Sequence, residues 1–376
     1  MVRLAMRRAL DPVWIDDLFE QHRQSQYTRE FLFSTTVEVM SLVATGLRPS
    51  LHAAAKACRD LPVSITALYD KINRTEPDLV RALVQGSAQR LTQIVKPLLR
   101  RRAPVLPGYR VRIVDGNHLP ATEKRIKPLR DFRGAALPGQ SLVVYDPDLK
   151  MVIDMIPCED AHAQERSQMA PLLANAEPAE LWIADRNFST RAIFSGWHAR
   201  GSAFLVREHG RNPSPKTCGP ANHKGRIETG IVWEQAVCIK DDAGAPLPLR
   251  RIELQLDTPT EDGDTKIRLL TNVPQQEVDA LTLARLYRRR WHIETLFQRL
   301  ESVLHSEIPT LGQPRAALLA FGVSILAYNV LETHLPHIGK AGTSCVPKWA
   351  ENFRPYLTPW NWPWHRHRAR APWSKT

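Results

Sequence analysis

Cysteine is present in this sequence but in no organised form. Cys58, Cys158, Cys218, Cys238 and Cys345 include no CxxC pair and are odd in number, which supports neither a zinc ribbon nor a disulfide framework and fits a reducing cytoplasm. Long apolar runs are also scarce. The N-terminus carries Arg3, Arg7 and Arg8 but passes into Asp11, Pro12, Asp16 and Asp17 without the apolar core that a signal peptide needs. The stretch Ala316 to Leu331 includes Ser324, Tyr328 and Asn329 and falls short of the roughly 20 apolar residues that span a bilayer, so it reads as a buried helix. There is no internal repeat. Export and membrane insertion are not expected.

Apolar material and positive charge are both plentiful. The 376 residues are 43% hydrophobic, enough for two or three domains with a filled core. Lys plus Arg number 51 against 39 Asp plus Glu, a formal charge of +12. That balance suits a polyanionic partner, and nucleic acid is the expected one, although charge alone does not separate DNA from RNA or an acidic membrane.

Residues 1 to about 100 show helix-period apolar spacing, as in Trp14, Leu18 and Phe19 and again in Val37, Met40, Val43 and Ala44. Two short helical patterns, Leu51 to Cys58 and Ser64 to Asn73, flank a turn with Pro62; they suit either a helix-turn-helix DNA reader or two helices that merely pack. The basic run Arg100 to Arg102 is either a DNA contact or a solvated linker. From Arg110 the texture becomes strand-like: Arg110 to Val114, Ser141 to Tyr145, Met151 to Ile156, Leu181 to Ala184 and Ala203 to Val206. Helical patterns lie at Gln164 to Asn175 and Ser189 to Arg200, so the fold class is α/β, a mixed sheet with flanking helices. A polar stretch at about 207–264, with strand-like pieces at Arg226 to Val237 and Arg250 to Leu256, reads as a β-rich insertion. Lys266 to Val273 is a further strand, and a long charged helix runs from about Leu281 to Leu304. The expected division is a helical domain over 1–100, a mixed α/β domain over 101–310, and a helical C-terminal region over 311–376. The last ends in a tail from Trp360 with four tryptophans and Arg366, Arg368 and Arg370, suited to disorder or to an arm lying on nucleic acid.

Three acidic residues stand out. Asp115 and Asp185 each follow an apolar strand, and two such carboxylates converge if their strands are neighbours, which is what hard Mg²⁺ ions require. On the long helix, Tyr287, Arg290, Glu294 and Glu301 fall on one face at about 100° per residue. Around it, Trp291, Ile293, Leu296, Phe297 and Leu300 are expected to pack the helix on the sheet. Asp146 and Asp148 flank Pro147 in a turn signal and are set apart from the acidic trio. His118, His162 and His292 lack metal-ligand spacing.

The segments "VDGNHL", "IADRNF" and "YRRRWHIETLFQRLE" resemble the DDE transposases of bacterial insertion sequences, specifically the insertion-sequence-four group. Its signature is Tyr, two residues, Arg, three residues, Glu, six residues, Lys. Tyr287, Arg290 and Glu294 meet the first three terms, and Glu301 stands where the lysine belongs. "SLHAAAKACRDLPVSITALYDKI" is similar to the helical N-terminal domain of such proteins.

The resemblance implies a ribonuclease-H-like fold with Asp115 on the first strand, Asp185 on the fourth and Glu294 on a later helix. It implies a DNA transposase that cleaves element ends and transfers the strand into target DNA, using Mg²⁺ or Mn²⁺, two ions being expected with Asp115 shared between them. Tyr287, Arg290 and Arg186 are expected near phosphate, Arg299 or Gln298 in place of the missing lysine, and Trp233 is either a stacking platform for an extruded base or a core residue. The implied partner is double-stranded DNA, bound by a homodimer in the bacterial cytoplasm at the nucleoid. Two alternatives remain open: a nuclease of the same fold that does not join strands, and an inactive DNA-binding relative for which Glu301 is the hint.

Overall fold

The computed structural model describes residues 2–26, 31–58, 61–99, 103–119, 139–260, 263–308 and 311–333. The basic run Arg100 to Arg102, Cys345 and the tryptophan-rich tail lie outside the described residues.

Six helices come first: α1 (Val2–Ala9), α2 (Pro12–His22), α3 (Phe33–Ala44), α4 (Leu51–Ala57), α5 (Ile65–Arg74) and α6 (Pro77–Leu98). Their starts are written in side chains that satisfy the free N–H groups of a first turn. Asp11 accepts from Val13 and Trp14, Ser50 from Ala53, and Ser64 from Ala67. Then come β1 (Arg110–Leu119), β2 (Gly139–Asp146), β3 (Met151–Cys158), α7 (Ala170–Ala174), β4 (Glu180–Ala184), α8 (Arg191–Ala199) and β5 (Ala203–Arg207). β6 (Lys216–Thr217), β7 (Asn222–Ile227), β8 (Gly230–Lys240), β9 (Pro246–Leu256) and β10 (Lys266–Thr271) follow, and α9 (Ala280–Tyr287), α10 (Trp291–Ser302) and α11 (Pro314–Glu332) complete the order.

The strands form one sheet in the order β3-β2-β1-β4-β5-β10-β9-β8-β6, with β7 also on β8. β1 is parallel to β4 and β4 to β5, while β2 is antiparallel to both its neighbours. The five-strand portion β3-β2-β1-β4-β5 is the ribonuclease-H-like arrangement expected. Strands β6 to β9 of the expected insertion do not form a separate body: they extend the same sheet beyond β10.

Strand periodicity decides the two faces. Val111, Ile113, Leu181, Ile183, Ala203 and Leu205 point into a core shared with α2, α3, α6 and α11. Val114, Trp182, Ala184, Phe204 and Val206 point the other way, into a core closed by α7 and α8 with Phe194 and Trp197. Both faces are buried, so the strands read as near-continuous apolar runs. The apolar helix α11 is long enough by length and composition to cross a membrane, yet it packs on α6, α3, α5 and β3 and is buried along most of its length, as expected.

Three expectations need correction. The helix foreseen at Gln164 to Asn175 is a 3-10 turn (Glu165–Gln168) followed by α7, because Pro171 lacks an N–H and begins a helix rather than continuing one. The strand foreseen at Arg226 to Val237 is two antiparallel strands, β7 and β8. Gly230 begins β8 at φ +156 with the Gln255 carbonyl where a side chain would have to go. The helix foreseen from Leu281 to Leu304 is broken into α9 and α10 by a 3-10 turn over Arg288–Arg290.

Candidate active site

β1 pairs with β4 only as far as Ile113 opposite Ile183, while its antiparallel pairing with β2 continues to Leu119. Asp115 therefore sits within a strand rather than at its end, contrary to the sequence expectation, paired with Val143 on one side and past the last β4 partner on the other. β4 ends at Ala184 and delivers Asp185 as the cap of a 3-10 turn, where its carboxylate accepts from the Asn187 N–H. Each of the two parallel neighbours thus carries one aspartate just past the last β1–β4 pair, on the side where open α/β sheets bind ligands.

Glu294 arrives from the other direction, on the first turn of α10. Arg290 connects it to β1: Nη1 donates to Asp115 Oδ2 at 2.9 Å, and Nη2 lies 2.6 Å from Glu294 Oε1. Asp115 and Glu294 are a single guanidinium apart. Asp115 and Arg290 are 16% and 12% exposed, whereas the Glu294 side chain is 47% exposed. α10 is held down by Ile293, Leu296 and Leu300, all buried. Trp291 belongs to a different part of the helix surface: it is 64% exposed and does not pack as expected.

Burial pushes the Asp115 carboxyl up to about 7; Arg290 pulls it down, and the negative charges of Asp185 and Glu165 push it up again. Burial works against the Arg290 cation, yet Tyr287, Asp115 and Glu294 hold it above its ordinary range. Tyr287 is buried, which raises its phenol, and it senses Arg290, Asp185, Arg207 and Asp115.

Glu165 is absent from the sequence expectation. Its carboxylate lies against Gly116, where any side chain would collide with it; His118 Nδ1 is 3.8 Å away, and Asn187 Nδ2 donates to it at 3.4 Å. The one hint in the sequence is a glycine directly after Asp115.

The remaining expected residues are dispersed. Arg186 is exposed beside Asp185. Arg299 pairs with the buried Glu332 at 2.9 Å, and Glu301 is exposed near the end of α10. Trp233 is on β8, five strand positions from β1, roughly 24 Å at ~4.8 Å per strand. There it is half-buried, meets His223 edge-on at 5.2 Å and lines a cavity of about 230 Å³ with Gln235, Arg251 and Lys266. Asp146 caps the β2–β3 turn, accepting from the N–H groups of Asp148 and Leu149 at 2.9 Å, as its turn signal implied.

As they stand, no three His, Cys, Asp or Glu side chains among the described residues are grouped closely enough to hold a metal ion. The chemistry of the donors nonetheless fits one. Asp115 is desolvated and repelled by two other carboxylates, and hard oxygen donors with surplus negative charge are what Mg²⁺ and Mn²⁺ select. Arg290 is the cation now answering that charge.

The structure thus has a desolvated aspartate on β1, a second directly after β4 and a glutamate on the first turn of α10, in a sheet of ribonuclease-H-like strand order. The model of the family described as transposase DDE domain matches residues 106–330, and the chain belongs to that family. Its relatives include the transposase for insertion sequence element IS421 of Escherichia coli and transposase InsL of element IS186A of Escherichia coli strain K12. Each is 26% identical over 259 residues, a match that covers 60% of this chain and 66%, just under two thirds, of the relative. A solved piggyBac transposase synaptic complex with hairpin DNA is similar at 11% identity and a TM-score of 0.40, over 95% of this chain and 78% of that one. The strand order, not this loose likeness, carries the fold assignment.

Proposed function

We propose that the chain is a DNA transposase that cleaves element ends and joins them to target DNA, with Asp115, Asp185 and Glu294 as its catalytic carboxylates. The observation that carries this reading is the meeting of Asp115 with Arg290 and, through it, Glu294, groups 175 residues apart in the chain for the first pair.

Asp115, Asp185 and Glu294 are the residues that would hold Mg²⁺ or Mn²⁺, as a pair of ions. When bound, such ions activate the attacking hydroxyl and stabilise charge on the departing oxygen. The chain's own residues do the rest. β1 and β4 fix two carboxylates just past their last shared pair, and the buried stripe of α10 fixes the third. Arg290 offers a planar fork matched to phosphate, and buried Tyr287 supports Arg290 rather than touching DNA. Arg186 lies on the exposed rim beside Asp185 and is assigned to the DNA backbone, as is Arg299 more weakly because Glu332 already holds it. Double-stranded DNA is the partner, the N-terminal helices with the α4–α5 pair are its reader, and the acting form is a homodimer in the bacterial cytoplasm. Trp233 is assigned to DNA away from the point of cleavage.

The test is Mg²⁺-dependent cleavage and joining with a duplex bearing the terminal sequences that flank the gene. Wild type should nick the duplex and insert it into plasmid; the D115A, D185A and E294A variants should bind DNA and do neither. Cleavage without insertion would make the chain a nuclease, and an uncut duplex would make it a binding protein.

A further inference from the structure

Arg290 sits where a cation is wanted. One guanidinium nitrogen meets Asp115 at 2.9 Å and another meets Glu294 at 2.6 Å, on a side chain only 12% exposed whose Nε is buried without a partner. Its neighbours are committed elsewhere or open to solvent: Arg288 reaches Glu228 at 3.3 Å, and Arg289 is exposed. Arg290 also ends the 3-10 turn between α9 and α10, a tightened segment from which a modest change in winding re-aims the side chain.

A guanidinium and a divalent ion cannot both occupy the space between the same two carboxylates. We propose, on the metal-centre reading above, that Arg290 is a built-in counter-cation: it keeps divalent ions off Asp115 and Glu294 in the DNA-free protein and leaves when a DNA phosphate draws its guanidinium away. A phosphate matches the planar fork as well as a carboxylate does. Because the exchange is a linkage, any anion that captures Arg290 raises cation affinity, and the cation raises anion affinity by the same factor. The protein then has no armed phosphoryl-transfer centre until DNA is seated.

The test is Mn²⁺ binding to the full chain by calorimetry, with and without a 40-base-pair duplex of random sequence at low salt. Without DNA, R290Q should bind Mn²⁺ at least about tenfold more tightly than wild type. R290K, which keeps the charge but loses the fork, should fall between them and serves should R290Q fold poorly. R226Q, whose parent side chain pairs with Asp257 in the extended half of the sheet, should change affinity less than twofold. Adding duplex should tighten Mn²⁺ binding to wild type several-fold and leave R290Q unchanged. R290Q and R290K no tighter than wild type would overturn the proposal, as would equal gains with DNA in wild type and R290Q, or none in wild type. D115N separates the two levels: if it weakens Mn²⁺ binding while the Arg290 variants match wild type, only the counter-cation fails. If D115N has no effect, the metal-centre reading fails with it.

Discussion

Two sets of charged residues follow opposite rules. In the extended half of the sheet the charges are matched. Glu208 takes two bonds from Arg251 at 2.6 and 2.8 Å, and Glu234 lies between Arg250 and Lys224 at 2.5 and 3.2 Å. Where β1 outruns β4 they are not: Asp185 and Glu165 repel Asp115, Arg290 is the cation that Asp115 shares with Glu294, and Asp115 is driven to about 7. In a matched buried pair each charge is compensated by its partner, and removing one leaves the other uncompensated. A surplus of one sign beside a sheet end is unfavourable for the fold unless something else is meant to bind there.

Neutralising each set should cost the protein different things. Alanine at Asp115, Asp185 or Glu294 should reduce strand cleavage on the order of a thousandfold or more while DNA affinity changes only a few-fold, read from gel-resolved nicking and from filter binding. Loss of binding in step with cleavage would place these residues in the DNA interface instead. In the matched set the loss should be of stability. Arg251→Met leaves Glu208 buried without its partner and should lower the unfolding free energy by about 3–5 kcal/mol in urea titration. The double variant Arg251→Met, Glu208→Leu should recover most of that. A double variant as unstable as the single one would mean that these charges do more than satisfy each other.

Acidity should affect the surplus set in one direction only. The Asp115 pKa in the folded chain, about 7, exceeds its ordinary value of 3.8. The folded state therefore holds the proton more tightly, and this contribution to stability is complete below about pH 4 and is lost as pH rises through 7. An asparagine side chain in its place does not ionise. Asp115→Asn should therefore match wild type near pH 4 and exceed it at pH 8 by up to about 4 kcal/mol, measured without divalent ions. A gain at acid pH, or none at pH 8, would show that Asp115 is not an electrostatic liability in the free protein.

The same division decides how much is legible in advance. β1 to β5 are legible because strands buried on both faces are written as unbroken Val, Ile and Leu, and five helix starts carry Asp, Ser or Thr caps. Errors gather at the charged corner. The sequence places the end of β1 too early because the polar run Asp115 to His118 hides the continued pairing with β2. The break at Arg288–Arg290 is invisible because the apolar stripe resumes directly after it, and the Asp115 partner of Arg290 lies 175 residues away in the chain. The helix surface misleads too: Ile293, Leu296 and Leu300 repeat at offsets of 3 and 4, whereas Trp291 lies off that stripe and is exposed. Glu165 carries no local signal, since only folding brings it against Gly116.

The smallest expected effect tests the one departure from the family signature. Glu301 stands in the lysine position, is exposed, and lies in the last turn of α10, where the helix dipole disfavours a negative charge. It also raises the neighbouring Glu307 carboxyl, whose main cause of elevation is burial. Glu301→Lys removes both penalties and should stabilise the fold by only about 0.3–1 kcal/mol. If this face of α10 borders the DNA backbone, the new ammonium should strengthen DNA binding at low salt and steepen the dependence of log affinity on log salt by about one ion. An unchanged salt slope would put the end of α10 away from DNA. It would also leave Arg290, at the beginning of the helix, as the point where this element meets phosphate.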